Sequence, residues 1–251
     1  MKIQYASDLH QEFDKNRRYL KKKPLVVEGE ILLLAGDITN FVLLDKPIEF
    51  IDWASDNYEA VYWLPGNHEW YSYDMSKKET VLNEKIKDNV FLVNNVSIMH
   101  KDVNLIFSTL WGRIGPLYEW QIGQGLSDFR LIKMGKKKFC TQDFNRLHNE
   151  SVAFLDNAIK QNTGKSIIVT HHVPTCKNYP AMFKGSSLNE AFAVEMHDFI
   201  EDSKANYWIY GHHHFNSMEM HIGKTKLITN QLGYIDKGEE ENFRHNAIIE
   251  L

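Results

Sequence analysis

The chain has 251 residues, 43% of them hydrophobic and 12% aromatic, enough apolar material for a large α/β domain and too much for a disordered polypeptide. A net charge of −4 and a pI near 6.3 exclude the strongly basic field of a dedicated nucleic-acid binder. No apolar run approaches the roughly 20 residues that cross a bilayer, and the opening MKIQYASDLH lacks the sustained apolar stretch of a secretory signal. A cytoplasmic protein with Cys140 and Cys176 reduced is therefore expected. With no internal repeat, low-complexity tract or Gly/Ser linker, a single domain over residues 1–251 is expected too.

In chain order, short β-branched, leucine-rich or aromatic runs recur, each ending in small or polar residues. They are Lys2 to Ala6, Ile31 to Ala35, Ala60 to Leu64, Asn104 to Thr109, Ser166 to Thr170 and Tyr207 to Tyr210; their length and composition predict buried strands. Helical patterns lie between several of them. One opens at Asp45 and Pro47 and carries Ile48, Phe50, Ile51 and Trp53; a second runs from Asp143 to Ile159; Asn189 reads as the cap of a third through Phe192, Val194 and Phe199. Ser217 to Ile222 and Lys226 to Asn230 flank Gly223 as a hairpin, and Asn246 to Glu250 supplies a last strand. Strands alternating with helices predict an α/β sheet architecture. The stretch from Trp111 to Phe139 breaks this rhythm, so it reads either as a functional loop or as a surface excursion.

The strand-like runs end alike. Lys2 to Ala6 leads into Ser7-Asp8-Leu9-His10, Ile31 to Ala35 into Gly36-Asp37, and Ala60 to Leu64 into Gly66-Asn67-His68-Glu69. Ser166 to Thr170 leads into His171-His172, and Tyr207 to Tyr210 into Gly211-His212-His213-His214. The carboxyl ends of strands in open α/β sheets converge on one crevice, so these clusters can meet in space. Carboxylates, imidazoles and an amide carbonyl, without thiolates, suit divalent Mn, Fe or Zn. Their number exceeds the needs of one zinc-like centre and points to two ions sharing a carboxylate.

In this order the blocks D-x-H, G-D, G-N-H-E, H and G-H-x-H resemble the signature of the calcineurin-like metallophosphoesterases, in particular compact bacterial members that begin M-K-I-x-x-x-S-D-L-H. The resemblance implies a four-layer α/β/β/α sandwich with a dinuclear site at the C-terminal strand ends. It implies that Asp8, His10 and His214 bind one metal and Asn67, His171 and His212 the other, with Asp37 bridging. His68 would be the catalytic acid for the leaving group. His172 and His213 neighbour ligand positions, either as contacts to the site or as solvent-facing side chains.

Departures narrow the expectation. Protein phosphatases of the family carry G-D-x-x-D-R-G and L-R-G-N-H-E, whereas this chain reads Gly36-Asp37-Ile38-Thr39-Asn40 and Leu64-Pro65-Gly66-Asn67. The phosphate-gripping arginines are missing, and Asn40 stands where an Asp would orient the acid histidine. Arg113 and Arg130 are the candidates to replace those arginines, with Asn40 and His172 as further substrate contacts. The expected activity is hydrolysis of phosphomonoesters or phosphodiesters of small molecules by attack of a metal-bridging hydroxide. The alternatives are a non-catalytic adaptor on the same fold, or a nuclease. Against the nuclease, Lys21 to Lys23 and Lys136 to Lys138 are the only basic runs, too little for a long nucleic-acid track.

Overall fold

The computed structural model describes all residues 1–251. Its elements in order are β1 (Lys2–Ala6), α1 (Asp14–Lys22), β2 (Ile31–Ala35), α2 (Glu49–Asn57), β3 (Ala60–Leu64), β4 (Leu82–Lys87), β5 (Val90–Asn94), β6 (Val96–His100) and β7 (Val103–Ser108). There follow α3 (Glu119–Gly125), α4 (Asp128–Leu131), β8 (Lys133–Met134), β9 (Lys137–Lys138), α5 (Thr141–Gln161), β10 (Lys165–Thr170), α6 (His197–Ser203), β11 (Tyr207–Tyr210), β12 (Met220–Ile222), β13 (Thr225–Thr229) and β14 (Ile248–Glu250).

Two six-stranded sheets face each other, ordered β14-β1-β2-β3-β5-β4 and β12-β13-β11-β10-β7-β6. Each has four central parallel strands and an antiparallel strand at either edge. The alternation of side chains along a strand sorts them into layers. Ile31, Leu33 and Ala35 of β2 join Ile167 and Val169 of β10 in the core between the sheets. Leu32 and Leu34 turn outward to pack with α1, α2 and α5 residues such as Leu20, Ile51 and Phe144. Ile168 turns outward on the other sheet to meet Leu155 of α5 and Ile200 of α6. Burial on both faces is why β2 reads Ile-Leu-Leu-Leu-Ala without a polar position. Each such large side chain contributes about 1.5–3 kcal/mol by leaving water. The result is the expected mixed α/β sandwich with helices on both outer faces.

The expected strands are present, and Asn246 to Glu250 contracts to the three residues that pair with β1. Five strands were not expected: β4, β5, β6 and the two-residue β8 and β9. Of these, β4 (LNEKIK) and β6 (VSIMH) are edge strands with largely exposed side chains, so they carry no apolar run. Helix α1 buries only Asn16 and Leu20 and has no apolar stripe to read. The helix expected from Asn189 does not form as one element. A 3-10 turn spans Asn189–Ala191, and the chain then runs extended because Val173 exchanges backbone hydrogen bonds with Phe192 and Val194. Helix α6 begins only at His197. The two cysteines are unpaired. Cys140 caps α5, while Cys176 is exposed.

Candidate metal centre

The polar clusters occupy the turns that leave β1, β2, β3, β10 and β11. Asp8, His10, Asp37, His212 and His214 all adopt positive φ, between 47° and 81°. A non-glycine residue in that region carries strain of about 1–3 kcal/mol, so the backbone distortion is concentrated on the residues that face the crevice. Hydrogen bonds hold it: His10 N–H donates to Asp37 O (2.9 Å), Asp8 N–H to Gly36 O (2.9 Å) and Gly211 N–H to His171 O (2.9 Å). Gly36, at φ +92°, and Gly66 are required by proximity as well. A side chain at Gly36 would collide with the His171 ring, and one at Gly66 with Asp37 Oδ1 and His171 Nε2.

The seven residues come together as two groups that share Asp37. Ligand-type atoms of Asp8, His10, Asp37 and His214 lie within 4.8 Å of one another, as do those of Asp37, His171 and His212. Asn67 Oδ1 reaches the second group at 3.2 Å from His171 Nε2. Asp8, His10, Asp37 and His171 are at most 1% exposed. The first group is pinned from behind, since His10 Nδ1 lies 3.0 Å from Glu12 Oε1 and His214 Nδ1 2.6 Å from Glu239 Oε2. Each Nδ1 therefore donates, and the two Nε2 lone pairs face each other across 3.0 Å.

The second group repeats the arrangement. His171 Nδ1 donates to the Ala35 carbonyl at 2.9 Å, leaving Nε2 directed at Asp37 Oδ1 (3.3 Å) and at His212 Nδ1 (3.1 Å). Acceptors facing acceptors in a buried space are unfavourable unless a proton or a metal cation lies between them. The residues thus fit one divalent ion per group, with imidazoles oriented by carboxylate or carbonyl partners as metal-binding histidines are. The anionic field shows in the imidazoles themselves. Burial pulls His171 and His214 down, yet Asp37 beside the first and Asp8 with Glu239 beside the second raise each to about 9.

His68 stands next to both groups. Its backbone N–H donates to Asp37 Oδ1 at 2.9 Å, its Nδ1 lies 2.8 Å from Glu12 Oε1, and its Nε2 lies 3.2 Å from the Tyr234 hydroxyl. Burial works to lower this imidazole, but Asp37 and Glu12 outweigh it and raise it above the ordinary histidine value. Asn40 does not hold the ring: its amide donates to the His68 backbone carbonyl. The orienting carboxylate is instead Glu12, four residues after Asp8, which grips His10 and His68 with the same oxygen. The spacing D-x-H-x-E was visible in the sequence, but nothing there tied Glu12 to a histidine 56 positions away.

Three further carboxylates have roles the sequence did not assign, Glu69 within the G-N-H-E block and Asp128 and Glu239 outside every block. Glu69 is fully buried and accepts from the N–H groups of Asp37, Ile38, Thr39 and Gly66 and from Trp63 Nε1. Burial and Asp37 push its carboxyl up to about 8. Five donors with no acceptor opposite are nonetheless the surroundings of a carboxylate, and the clasp fixes the Asp37 turn to the Asn67 turn. Asp128 Oδ1 accepts from Asn67 Nδ2 (3.0 Å) and from the Tyr71 hydroxyl (2.6 Å). The Asn67 amide oxygen is thereby turned toward His171. Glu239, the partner of His214, lies beyond the fifth block. The irregular stretch thus earns a role through Asp128.

Over these groups opens a cleft of about 680 Å³. One wall carries Phe13 and Tyr234, the other Leu126, Leu131, Phe183 and Phe192, and Lys237 is its one lysine or arginine. Arg113 and Arg130 do not line it. Arg113 is exposed and bonds Asn149 on α5, while Arg130 bonds Gln124 O and Ser127 Oγ on its own turn. His172 does not line the cleft either, nor does it face solvent. It is wholly buried, with its ring 4.1 Å from that of His212 and 5.3 Å from Trp111, and burial holds it neutral, far below the usual imidazole value. His213 is buried as well, bonded to Gln231, though it reaches the cleft. Asn40 lines the cleft.

Residues 1–216 match the family model described as calcineurin-like phosphoesterase. The chain is 31% identical over 277 aligned positions to the uncharacterized protein L509 of Acanthamoeba polyphaga mimivirus, covering 99% of this chain and 96% of that protein. Among solved structures it is similar in fold to the phosphopantetheinyl hydrolase PptH of Mycobacterium tuberculosis. That similarity has a TM-score of 0.68 at 15% identity, over 96% of this chain and 92% of the other.

Proposed function

The chain belongs to the calcineurin-like phosphoesterase family and is a metal-dependent phosphoric ester hydrolase, and from that premise we propose that it hydrolyses small phosphodiesters with two divalent ions. Asp8, His10 and His214 would hold one ion and Asn67, His171 and His212 the other, with Asp37 available to both. When bound, such a pair supplies positive charge for the phosphate oxygens and lowers the pKa of a coordinated water to near neutrality. The observation that carries the reading is the sharing of Asp37 between two groups of mutually facing acceptors.

Everything else falls to the side chains. Glu12 keeps the His68 ring in one tautomer, with Nδ1–H toward the carboxylate, and supports a proton on Nε2. That nitrogen faces the cleft beside the Tyr234 hydroxyl, where a departing alkoxide can take the proton. Asp128 and Glu69 hold the Asn67 and Asp37 turns still while charge moves. The walls decide what can be accommodated. A phosphomonoester brings two negative charges and one organic arm; a diester brings one charge and two arms. A cleft whose walls are largely aromatic or aliphatic, with a single lysine, matches the diester better.

Manganese-loaded protein tested against bis-p-nitrophenyl phosphate and p-nitrophenyl phosphate decides between them. The diester should be cleaved with kcat/KM at least tenfold higher, and chelation should abolish both activities. A preference for the monoester would overturn the diester reading and leave the metal assignment standing.

A further inference from the structure

A second cavity, of about 640 Å³, lies between α1 and α2 and shares no lining residue with the cleft over the metal centre. Its floor includes Leu20, Leu25, Phe50 and Trp53, the first three buried. Thr39 belongs to the same lining, wholly buried, and its hydroxyl has no hydrogen-bond partner. That hydroxyl is closed to solvent, so the polar groups open to the cavity are those of its rim; sites of this size that combine an apolar floor with a few polar groups are characteristic of small-molecule binding.

The charge around the cavity is one-sided. Arg17, Arg18, Lys21 and Lys46 face a single carboxylate, Glu49. Glu49 is taken by Lys21 at 3.1 Å, and Arg17 pairs with Asp14 and donates to the Gln11 carbonyl. Arg18 and Lys46 enter no ion pair and are exposed. A bare inorganic anion would answer these cations but leave the apolar floor wet. A neutral apolar molecule would fill the floor and leave the cations unanswered.

We propose that this cavity is a binding site for an amphipathic anion, a molecule with a flat or chain-like apolar body and one carboxylate, sulfonate or phosphate head. The body lies on Leu20, Phe50 and Trp53, and the head sits between Arg18 and Lys46.

The test uses the full chain loaded with diamagnetic zinc, with 8-anilinonaphthalene-1-sulfonate as probe and uncharged N-phenyl-1-naphthylamine as its counterpart. One saturable site is expected, with the Trp53 indole and Gln11 side-chain amide resonances shifting in the protein's ¹H–¹⁵N spectrum. The double variant Arg18→Glu, Lys46→Glu should weaken the sulfonate by roughly tenfold or more, leave the naphthylamine nearly unchanged, and retain full hydrolysis of bis-p-nitrophenyl phosphate. Sulfonate binding that ignores the double variant, or a naphthylamine that binds as tightly as the sulfonate, would overturn the proposal. So would shifts centred on Phe192 and Tyr234 instead of Trp53, or no saturation below millimolar dye.

Discussion

The two sides of the main cleft are made differently. On one side, the turns after β1, β2, β3, β10 and β11 carry positive φ at five polar residues and are tied to one another through backbone hydrogen bonds and the Glu69 clasp. On the other, the segments around Leu126 to Leu131 and Tyr179 to Phe192 present mainly aromatic and aliphatic side chains from short helical turns. The first side holds groups at fixed positions against charge; the second supplies shape. Rigid placement belongs where a displacement of 1 Å costs reactivity, whereas an apolar wall can vary with only modest changes in fit. Asp128 is the exception. It stands on the shape-giving side, yet its hydrogen bond crosses to Asn67.

The sharpest way to break the comparison is at its centre. Asp37→Ala removes the carboxylate common to both groups and should lower kcat/KM by about 10³-fold or more, with bound manganese falling from two ions per chain to one or fewer by elemental analysis. A variant that kept two ions and most of its activity would show that the turns do not form a shared site.

Next in size come His68→Ala and Glu12→Gln, measured at saturating manganese. The first should keep its metal and lose about 10² to 10⁴ in kcat on esters with poor leaving groups, with a small loss on nitrophenyl esters. The second should lose roughly tenfold to a hundredfold and shift the pH profile. The acid acts only while protonated, and Glu12 raises its pKa. Without that negative charge the pKa falls, so activity should be lost at lower pH on the alkaline side. An alkaline limb that stays in place would deny Glu12 its role as the orienting carboxylate.

Asp128→Ala tests the one contact that crosses the cleft. Asn67 would be free to rotate its amide, so affinity for manganese should fall about 10- to 100-fold, the usual consequence of losing a group that orients a ligand. The effect should be recoverable by added metal, which separates it from the loss in Asp37→Ala.

What the sequence disclosed follows the same division. Most strands buried on both faces announce themselves as apolar runs, although β5 (Val90–Asn94) was missed despite having one, and the turns after them stand out because Asp, Asn and His appear where the run stops. These two signals located β1, β2, β3, β10 and β11 and the polar clusters after them; the resemblance to the metallophosphoesterases is what singled out Asp37 and six neighbours among them as ligands. Glu12, Glu69, Asp128 and Glu239 act through partners brought close only by folding, up to 61 positions away for Asp128 and Asn67, and a carboxylate beside a known motif looks the same whether it clasps a backbone or faces water. Edge strands β4 and β6 and helix α1 were silent because few of their side chains are buried. The segment from Asn189 misled for another reason: its helical spacing was overridden by the pairing of Val173 with its neighbours.

The smallest effect separates reading by residue type from reading by place. Arginine is the side chain best suited to a phosphate oxygen, which made Arg113 and Arg130 the natural choices while only the sequence was in view. Both are exposed, bonded to Asn149 and to the Gln124 and Ser127 turn, and neither enters the lining of the cleft. Exposed polar contacts of this kind contribute about 0–1 kcal/mol. Arg113→Ala and Arg130→Ala, alone or combined, should therefore leave kcat and KM for bis-p-nitrophenyl phosphate within about twofold and unfolding free energy within about 1 kcal/mol. A tenfold rise in KM from either would mean that the chain closes over its substrate far enough to bring that arginine in. The shape-giving side would then also grip charge.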